Sequence, residues 1–233
     1  MFSFLKKFFS SINKDSPTYL FFDVECANCY DGVGKMCSFG YVLTDTKFRV
    51  LESADLVMNP ECQFDWYLFK NKNDIKLAYS KEYFYSQPSF PHFYQKIRSL
   101  LTAENRKIFT FGYATDVGFV VTAVERYKCQ WIDFEAADIE KYTKEEGGIH
   151  GKLGERCAML GIDDSDLKEH NSRDDAMMTM RLLKTWCKLK KISVNDFLEN
   201  AQNSVCSARE FARMRNRRMK KKAARAARKK KEN

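Results

Sequence analysis

A buried strand with a polar end is encoded by Tyr19-Leu20-Phe21-Phe22-Asp23-Val24-Glu25. The run is short, aromatic and aliphatic, and it follows Ser16-Pro17, a pattern typical of a strand inside a sheet. Alternate side chains of a strand share a face, so Asp23 and Glu25 point the same way. Two such carboxylates repel each other and are costly to desolvate unless a cation neutralises them. Their oxygens favour Mg²⁺ or Mn²⁺ over zinc. The alternative is a pair of carboxylates in a surface loop just past the strand.

A third carboxylate lies near the predicted start of a helix. Residues 108–112 read Ile-Phe-Thr-Phe-Gly and predict another buried strand, and Thr115 is a suitable N-cap for the helix that follows. Asp116 begins an apolar stripe at helical spacing, whose other members are Phe119, Val120, Ala123 and Val124. We therefore expect Asp116 on the core-facing side of the first turn. The alternative is that Asp116 only favours the helix dipole.

A histidine and two aspartates precede another apolar-rich helix. Residues 170–176 read His-Asn-Ser-Arg-Asp-Asp-Ala, and the helix is predicted from Met177 to Leu189. Asp175 shares its helical row with Thr179, Leu182 and Trp186, whereas Asp174 shares its row with Met178, Arg181 and Thr185. The phase predicts that Asp175 faces inward. His170 lies in a polar stretch, which argues against a histidine that is satisfied in the core.

These three segments, in this order, resemble the DEDDh group of DnaQ-like 3′-to-5′ exonucleases, the RNase T and polymerase III epsilon type. Residues 153–162 resemble the helix, ending in Leu-Gly-Ile, that this family places before its histidine motif. The resemblance spans roughly residues 17–190. It implies an α/β ribonuclease H-like exonuclease fold, with a mixed five-stranded sheet flanked by helices. It also implies two divalent ions, Mg²⁺ or Mn²⁺, held by Asp23, Glu25, Asp116 and Asp175.

The resemblance implies a two-metal mechanism in which these four carboxylates and His170 are the catalytic residues. Two cations can bind the scissile phosphate and acidify a water, and a histidine titrates near neutral pH and can take the proton of that water. The chain departs from the family after Glu25, where Thr-Thr-Gly or Thr-Gly is replaced by Cys26-Ala27-Asn28-Cys29. We nevertheless assign Cys26, Ala27 and Asn28 to substrate binding. Ser172 replaces the usual alanine, a small change that we expect to matter little.

The C-terminal 27 residues, 207–233, carry thirteen Lys or Arg against Glu210 and Glu232. Since the whole chain has a formal net charge of +9, the other residues sum to about −2, so the basic excess is local. The segment has no Gly or Pro and is predicted to become helical once phosphates neutralise it. We assign Arg213, Arg217 and Arg218 to nucleic-acid binding. The alternative is a disordered solubilising tail.

The chain is divided by composition into four parts. Residues 1–16 predict an amphipathic helix that docks on the domain, on a partner or on a membrane surface. Residues 17–195 form the exonuclease domain, 196–206 a linker, and 207–233 the basic tail. There is no apolar run of about 18 residues and therefore no expected transmembrane helix. Eight scattered cysteines suit a reducing cytoplasm, and Cys26-x-x-Cys29 is either a zinc site or a pair of thiols.

The function predicted from the sequence is metal-dependent 3′-to-5′ hydrolysis of single-stranded nucleic acid ends. The sequence does not separate RNA from DNA as the substrate. The alternative function is a non-catalytic module that binds nucleic acid or a ribonucleoprotein through the basic tail.

Overall fold

The computed structural model describes residues 16–30, 33–70 and 76–232. The amphipathic helix predicted over residues 1–16 lies, apart from its last residue, outside the described residues. The strands are β1 (Thr18–Cys26), β2 (Met36–Asp45), β3 (Val50–Val57), β4 (Arg106–Thr110), β5 (Glu135–Asp138) and β6 (Val205–Ser207). The helices are α1 (Lys81–Ser86), α2 (Phe90–Leu101), α3 (Tyr113–Arg126), α4 (Ile139–Gly147), α5 (Leu153–Met159), α6 (Ser172–Lys190), α7 (Val194–Asn200) and α8 (Ala208–Glu232). Short 3-10 turns span Trp66–Phe69 and Gln202–Ser204.

The strands form one mixed sheet in the order β3-β2-β1-β4-β5-β6. The pairs β3–β2, β2–β1 and β5–β6 are antiparallel, whereas β1–β4 and β4–β5 are parallel. The predicted mixed sheet is confirmed, but the predicted count of five strands is wrong because β6 adds a sixth. That strand begins inside the predicted linker 196–206, a segment that also contains the end of α7 and a 3-10 turn. Three residues are too few for a period-2 pattern to show.

The two faces of the sheet are covered by different helices, and β1 divides its side chains between them. Leu20, Phe22 and Val24 belong to one apolar cluster, with residues of α2 and α3. Tyr19 and Phe21 belong to the other, with residues of α4, α6 and α7. Because alternate residues share a face, Asp23 and Glu25 are directed to the side of the sheet that carries α6.

Helix α6 begins in close contact with β2. A Cβ atom at Gly40 would lie 1.9 Å from the carbonyl carbon of Ser172, so only glycine allows this approach. The Ser172 hydroxyl is buried and shares hydrogen bonds with Ser38 and with Asp55, whose Oδ1 atom lies 2.9 Å away. The Ser172 hydroxyl therefore makes contacts that an alanine would lack, because it donates to a half-buried carboxylate.

The basic C-terminal segment forms α8, and the first turns of this helix are part of the core. Ala208 is fully buried, and Phe211 packs against Gly118 of α3, where a Cβ atom would lie 2.7 Å from the ring. Further along, Arg215 contacts Glu125 at 2.6 Å. Helices α3 and α8 therefore run in the same direction. None of the helices in the described ranges has the length and apolar character needed to cross a membrane.

Candidate active site

The first two carboxylates of the site stand at the end of β1, in the middle of the sheet. Asp23 pairs with Gly40 of β2, and Glu25 pairs with Ser38. The pairing register shifts immediately after Glu25, between Glu25 and Cys26. The apolar run before them is buried and fixes the strand, so both side chains emerge at its carboxyl end and are half-buried.

Asp116 lies in the first turn of α3 and is 2% exposed. The helix begins earlier than predicted, because Gly112 is the N-cap residue and Thr115 already lies within the helix. Gly112 has a φ of 95°, a conformation that glycine adopts without strain, and its N–H donates to Asp138 Oδ1 at 3.1 Å. This tight turn from β4 into α3 directs Asp116 toward the end of β1.

The turn before α6 supplies the histidine and the fourth carboxylate. His170 has a φ of 60°, a strained conformation for a residue with a side chain. Its backbone is held on both sides, because its N–H donates to Asp175 Oδ2 at 3.1 Å and its carbonyl accepts from the Ala78 N–H at 3.2 Å. Asn171 caps the helix by accepting from the Asp174 N–H at 3.2 Å. The strain at His170 is therefore imposed by its neighbours.

Both aspartates of the pair face protein, which corrects the inference from helical phase that only Asp175 does. Asp174 is the more buried of the two and is 5% exposed. Its carboxylate accepts from the Lys168 N–H at 3.1 Å and pairs with Arg173. Asp174 thus fastens the preceding loop to α6, whereas Asp175 faces the sheet and the cleft described next.

The structure brings the five predicted catalytic residues together in one cleft of about 870 Å³. They come from β1, α3 and α6 and are Asp23, Glu25, Asp116, His170 and Asp175. Ligand atoms of Glu25, His170 and Asp175 lie within 4.8 Å of one another. His170 Nδ1 is 3.8 Å from Glu25 Oε1. Three distant stretches of sequence therefore converge on one acidic centre.

Burial and mutual repulsion favour the protonated forms of the carboxylates in this cleft. Burial, followed by the negative charge of Asp116, raises the pKa of Asp23 well above its usual range. Burial and the nearby Asp138 raise the pKa of Asp116 in the same way, against a hydrogen bond from the Val24 N–H. Burial and Glu25 raise the pKa of Asp175 to about 7, although His170 opposes the shift. Like charges this close favour the binding of a cation.

The residues present fit the two divalent cations that the family resemblance implies. The Asp116 Oδ2 atom is buried and has no hydrogen-bond partner among the described residues, which is a costly state for a carboxylate oxygen. Oxygen donors from four carboxylates suit Mg²⁺ or Mn²⁺. A cation bound there would satisfy the orphan oxygen and offset the mutual repulsion.

The sequence did not predict the part of the cleft lining formed by α4, α5 and the connection between them, here called the basic wall, which also contains Glu140 and Glu155. The cleft is also lined by Lys144, His150, Lys152 and Arg156, which lie in or beside the connection between α4 and α5. This connection reads Gly147-Gly148-Ile149-His150-Gly151, and Gly148 and Gly151 have φ of 64° and 103°. A glycine-rich loop with basic residues just before the helix of residues 153–162 was the signal available in the sequence.

Arg156 fixes the loop of that wall from beneath. Its side chain is 1% exposed and donates to the carbonyls of Gly151 at 2.9 Å and Glu140 at 2.6 Å. The guanidinium also lies over the ring of Phe111, 4.9 Å from its centroid. Arg156 therefore joins α4, the glycine-rich loop and the turn after β4 into one side of the cleft.

The residues predicted to bind substrate do not line this cleft. Ala27 is fully buried, and Asn28 is 3% exposed and donates to the Gln63 carbonyl at 2.5 Å. Cys26 is half-buried and its thiol donates to the Asn28 carbonyl at 2.9 Å. The chain thus turns away under residues 62–65 directly after Glu25. Exposed side chains of α8, namely Arg213, Arg217 and Arg218, also lie outside the cleft, because α8 follows α3 away from Asp116.

Solved structures that resemble this fold include 3′-exonucleases. The nuclease domain of 3′hExo, a DEDDh family member bound to rAMP, aligns with a TM-score of 0.61 at 16% identity, over 77% of this chain and 94% of its own. A 3′-exonuclease that recognises the 3′ end of the histone mRNA stem-loop aligns with a TM-score of 0.60 at 16% identity, over 78% and 68%. E. coli exonuclease I in complex with a dA16 oligonucleotide aligns with a TM-score of 0.60 at 16% identity, over 74% and 41%.

These alignments confirm the predicted ribonuclease H-like exonuclease fold, and the structural neighbours include the DEDDh family that the sequence resembles. The chain spans about two fifths of the length of exonuclease I. No protein-family model and no curated protein sequence matches the chain. The similarity therefore shows the fold alone. The function is inferred from the residues of the cleft.

The metal-free protein is expected to lose stability as the pH rises. A carboxyl group whose pKa is higher in the folded state stabilises that state fully below its unfolded pKa, near 4, and ceases to do so as the pH rises through the folded pKa. For Asp175 that window runs from about pH 4 to about pH 7. In EDTA at pH 8, Asp175→Asn should therefore be more stable than the parent by up to about 4 kcal/mol, since one pKa unit corresponds to about 1.4 kcal/mol.

Urea unfolding in EDTA at pH 4 and pH 8 measures this difference, which should nearly vanish at pH 4. Adding Mg²⁺ at pH 8 should stabilise the parent more than the variant, because the ion binds only the folded site. Equal stabilities of parent and variant at both pH values would show that folding does not raise the pKa of Asp175.

Proposed function

We propose that this protein is a metal-dependent exonuclease that hydrolyses phosphodiester bonds from the 3′ end of single-stranded nucleic acid. The proposal rests mainly on one observation, the convergence of Asp23, Glu25, Asp116, Asp175 and His170 in a single cleft. The fold shared with 3′-exonucleases supports it. Eight cysteines without a disulfide are consistent with a reducing cytoplasm, where we propose that the protein acts.

In the proposed mechanism the four carboxylates would hold two divalent cations, whose chemistry when bound would be charge neutralisation at the scissile phosphate and acidification of a water. His170 accepts the proton of the attacking water on an imidazole nitrogen, a role for which its position at the rim of the carboxylate cluster suits it. The fixed backbone around His170 limits the movement of the ring, which favours proton transfer in one geometry.

The basic wall supports a polyanionic substrate. Lys144 and Lys152 are exposed side chains that line the same cleft as the carboxylates, and His150, which also lines it, is exposed. A strand that enters this cleft has its scissile phosphate at the acidic centre and neighbouring phosphates near the lysines. Half-buried Phe111 also lines the cleft, where its ring lies under the Arg156 guanidinium and supports this wall.

A matched assay on RNA and DNA tests this function. Oligomers of one sequence, labelled at the 5′ end, are incubated with Mg²⁺, with Mn²⁺ or with EDTA. We expect a ladder of products shortened one nucleotide at a time with either ion and an intact strand in EDTA. Release of 5′ mononucleotide first, from a strand labelled there, would overturn the direction. Binding without hydrolysis under all conditions would favour the non-catalytic module.

The outer half of α8 is expected to hold the strand without taking part in the chemistry. Residues 220–231 carry eight Lys or Arg, whereas Ala208 and Phe211 pack in the core. A truncation must therefore spare the first turns, and we choose deletion of residues 220–233. If four of the eight cations contact phosphate, the truncated protein should show a log K versus log salt slope shallower by about 3, since each contact contributes about 0.7 for single strands.

Fluorescence anisotropy with a long single strand at several salt concentrations measures the two slopes. Turnover of a saturating dinucleotide serves as the control and should stay close to that of the intact protein. Identical slopes would mean that this part of α8 binds no substrate, and a fall in dinucleotide turnover would mean that it supports the cleft.

A further inference from the structure

Two thiols lie next to each other directly after the strand that carries the catalytic carboxylates. Cys26 is the last residue of β1 and Cys29 follows in the turn, with their Sγ atoms 3.4 Å apart. A disulfide has an S–S distance of about 2.0 Å, so the sulfur atoms need to approach by only about 1.4 Å. The Cys-x-x-Cys spacing and the folded geometry therefore both allow a bond between these residues.

The turn that holds the pair is built by hydrogen bonds on both sides. The Ala27 N–H donates to the Lys35 carbonyl at 2.8 Å, and the Lys35 N–H returns a bond to the Asn28 carbonyl at 2.9 Å. The buried Asn28 amide donates to the Gln63 carbonyl and to Cys62 Sγ. This framework keeps the two thiols together in the reduced protein, so little chain entropy is lost when they join.

The two cysteines differ in exposure in the manner of an attacking thiol and a resolving thiol. Cys29 is exposed, whereas Cys26 is half-buried behind it. The neighbouring Cys26 thiol, 3.4 Å away, and to a smaller extent Lys35 lower the pKa of Cys29 to about 7, against the opposing effects of burial and of Asp65. A substantial fraction of Cys29 is therefore thiolate at neutral pH, and the thiolate is the nucleophile in exchange reactions.

A metal site explains the pair less well. Among the residues that the structure describes, the group of three or more candidate ligands consists of Glu25, His170 and Asp175, and neither thiol belongs to it. Structural zinc takes four ligands, usually including two further thiols or imidazoles. The nearby Cys62 thiol is already engaged by the Asn28 amide at 3.3 Å.

We propose that Cys26 and Cys29 form a redox modification site that reacts with low-molecular-weight disulfides of the glutathione type. The Cys29 thiolate attacks one sulfur of the disulfide, forming a mixed disulfide and releasing one thiolate. The Cys26 sulfur then attacks Cys29 Sγ while its proton passes to the departing sulfur, forming the Cys26–Cys29 bond and releasing the second small thiol. In total the protein loses two electrons and two protons, and the small disulfide gains them as two thiols.

Such a site is compatible with a reducing compartment, where disulfides are usually transient and report on redox state. Cys26 directly follows Glu25, which lines the acidic cleft, and the pairing register of β1 shifts between these two residues. The site is defined by its own thiol chemistry and does not depend on hydrolysis by that cleft. The test therefore measures the oxidation state of the two thiols and not the hydrolytic activity.

Mass spectrometry of the full chain after equilibration with oxidised and reduced glutathione tests the proposal. The tryptic segment of residues 15–35 contains Cys26 and Cys29 as its two cysteines. After acid quenching and alkylation, we expect this segment to become two hydrogens lighter and resistant to alkylation, and dithiothreitol to reverse the change. Cys26→Ser should instead accumulate glutathione on Cys29, and Cys29→Ser should leave Cys26 alkylatable.

Cys62→Ser is the matched control, because Cys62 is the next thiol along the same framework. It should form the Cys26–Cys29 bond as the parent does. Persistence of the glutathione adduct on Cys29 in the parent would overturn the proposal, since Cys26 would not be resolving it. A Cys29–Cys62 bond, or alkylation of both cysteines unaffected by oxidised glutathione, would overturn it as well.

Discussion

Asp175→Asn should reduce the hydrolysis of a single-stranded oligonucleotide by about 10³-fold or more at saturating Mg²⁺. The carboxylate lines the acidic cleft, and its oxygens lie within 4.8 Å of ligand atoms of Glu25 and His170. The amide has the same shape but lacks the negative charge that holds a cation. A divalent ion contributes several kcal/mol to the transition state, and each 1.36 kcal/mol corresponds to a factor of ten in rate. Initial rates on a labelled oligomer measure the loss, with circular dichroism to confirm folding.

Asp174→Asn is the matched control for this variant. Asp174 is adjacent and also buried, but it serves the loop before α6 by accepting from the Lys168 N–H. An asparagine retains an oxygen that can accept the same hydrogen bond, so the rate should stay close to that of the parent. The opposite pattern, in which Asp174→Asn is inactive and Asp175→Asn is active, would show that Asp174, and not Asp175, binds the cation.

The carboxylate centre could be predicted from sequence because each part of it depends on local periodicity. In a strand the side chains alternate, so Asp23 and Glu25 share a face whatever surrounds them. On α3 the position of Asp116 follows from an apolar stripe, and the structure places it 2% exposed. These patterns predict which face of a strand or helix each carboxylate lies on. That the carboxylates form one site was implied by the family resemblance, which depends on the order of the segments.

The basic wall of the cleft could not be predicted, because its residues carry no periodic pattern. Lys144 lies in the last turn of α4, and His150 and Lys152 lie in the connection to α5, whose path depends on contacts with Arg156. The burial of Arg156 depends on carbonyls that converge only in the folded chain. Helix phase likewise did not reveal that Asp174 is buried, since a loop covers the side of α6 on which it lies.

The segment after Glu25 was assigned to substrate binding from the resemblance, but it does not line the cleft. The resemblance implied that the residues at this position hold the substrate, and Cys26, Ala27 and Asn28 were assigned accordingly. In this chain the bulged end of β1 turns beneath residues 62–65, which uses the Asn28 amide and buries Ala27. Asn28 and Ala27 are therefore occupied in packing the turn after β1, and they do not line the cleft.

His170→Ala should lower turnover by about 10²- to 10⁴-fold, the usual contribution of a general base, with little change in Mg²⁺ affinity. The imidazole borders the carboxylate cluster, with Nδ1 3.8 Å from Glu25 Oε1, and its backbone is fixed by bonds to Asp175 and Ala78. Removing the ring takes away a proton acceptor while the four carboxylates remain. The turnover of the parent should rise with pH through the range in which a histidine titrates, and the variant should lack that rise.

His92→Ala is the control, because His92 is an exposed residue of α2 that does not line the cleft, and its turnover should equal that of the parent. The rival for the role is His150, the remaining histidine and a residue of the basic wall. His150→Ala should raise KM more than it lowers kcat, because a cationic or hydrogen-bonding wall residue contributes to substrate binding in both ground and transition states. If His150→Ala instead loses both turnover and the pH-dependent rise while His170→Ala keeps them, the proton acceptor is on the glycine-rich loop and the assignment of His170 is wrong.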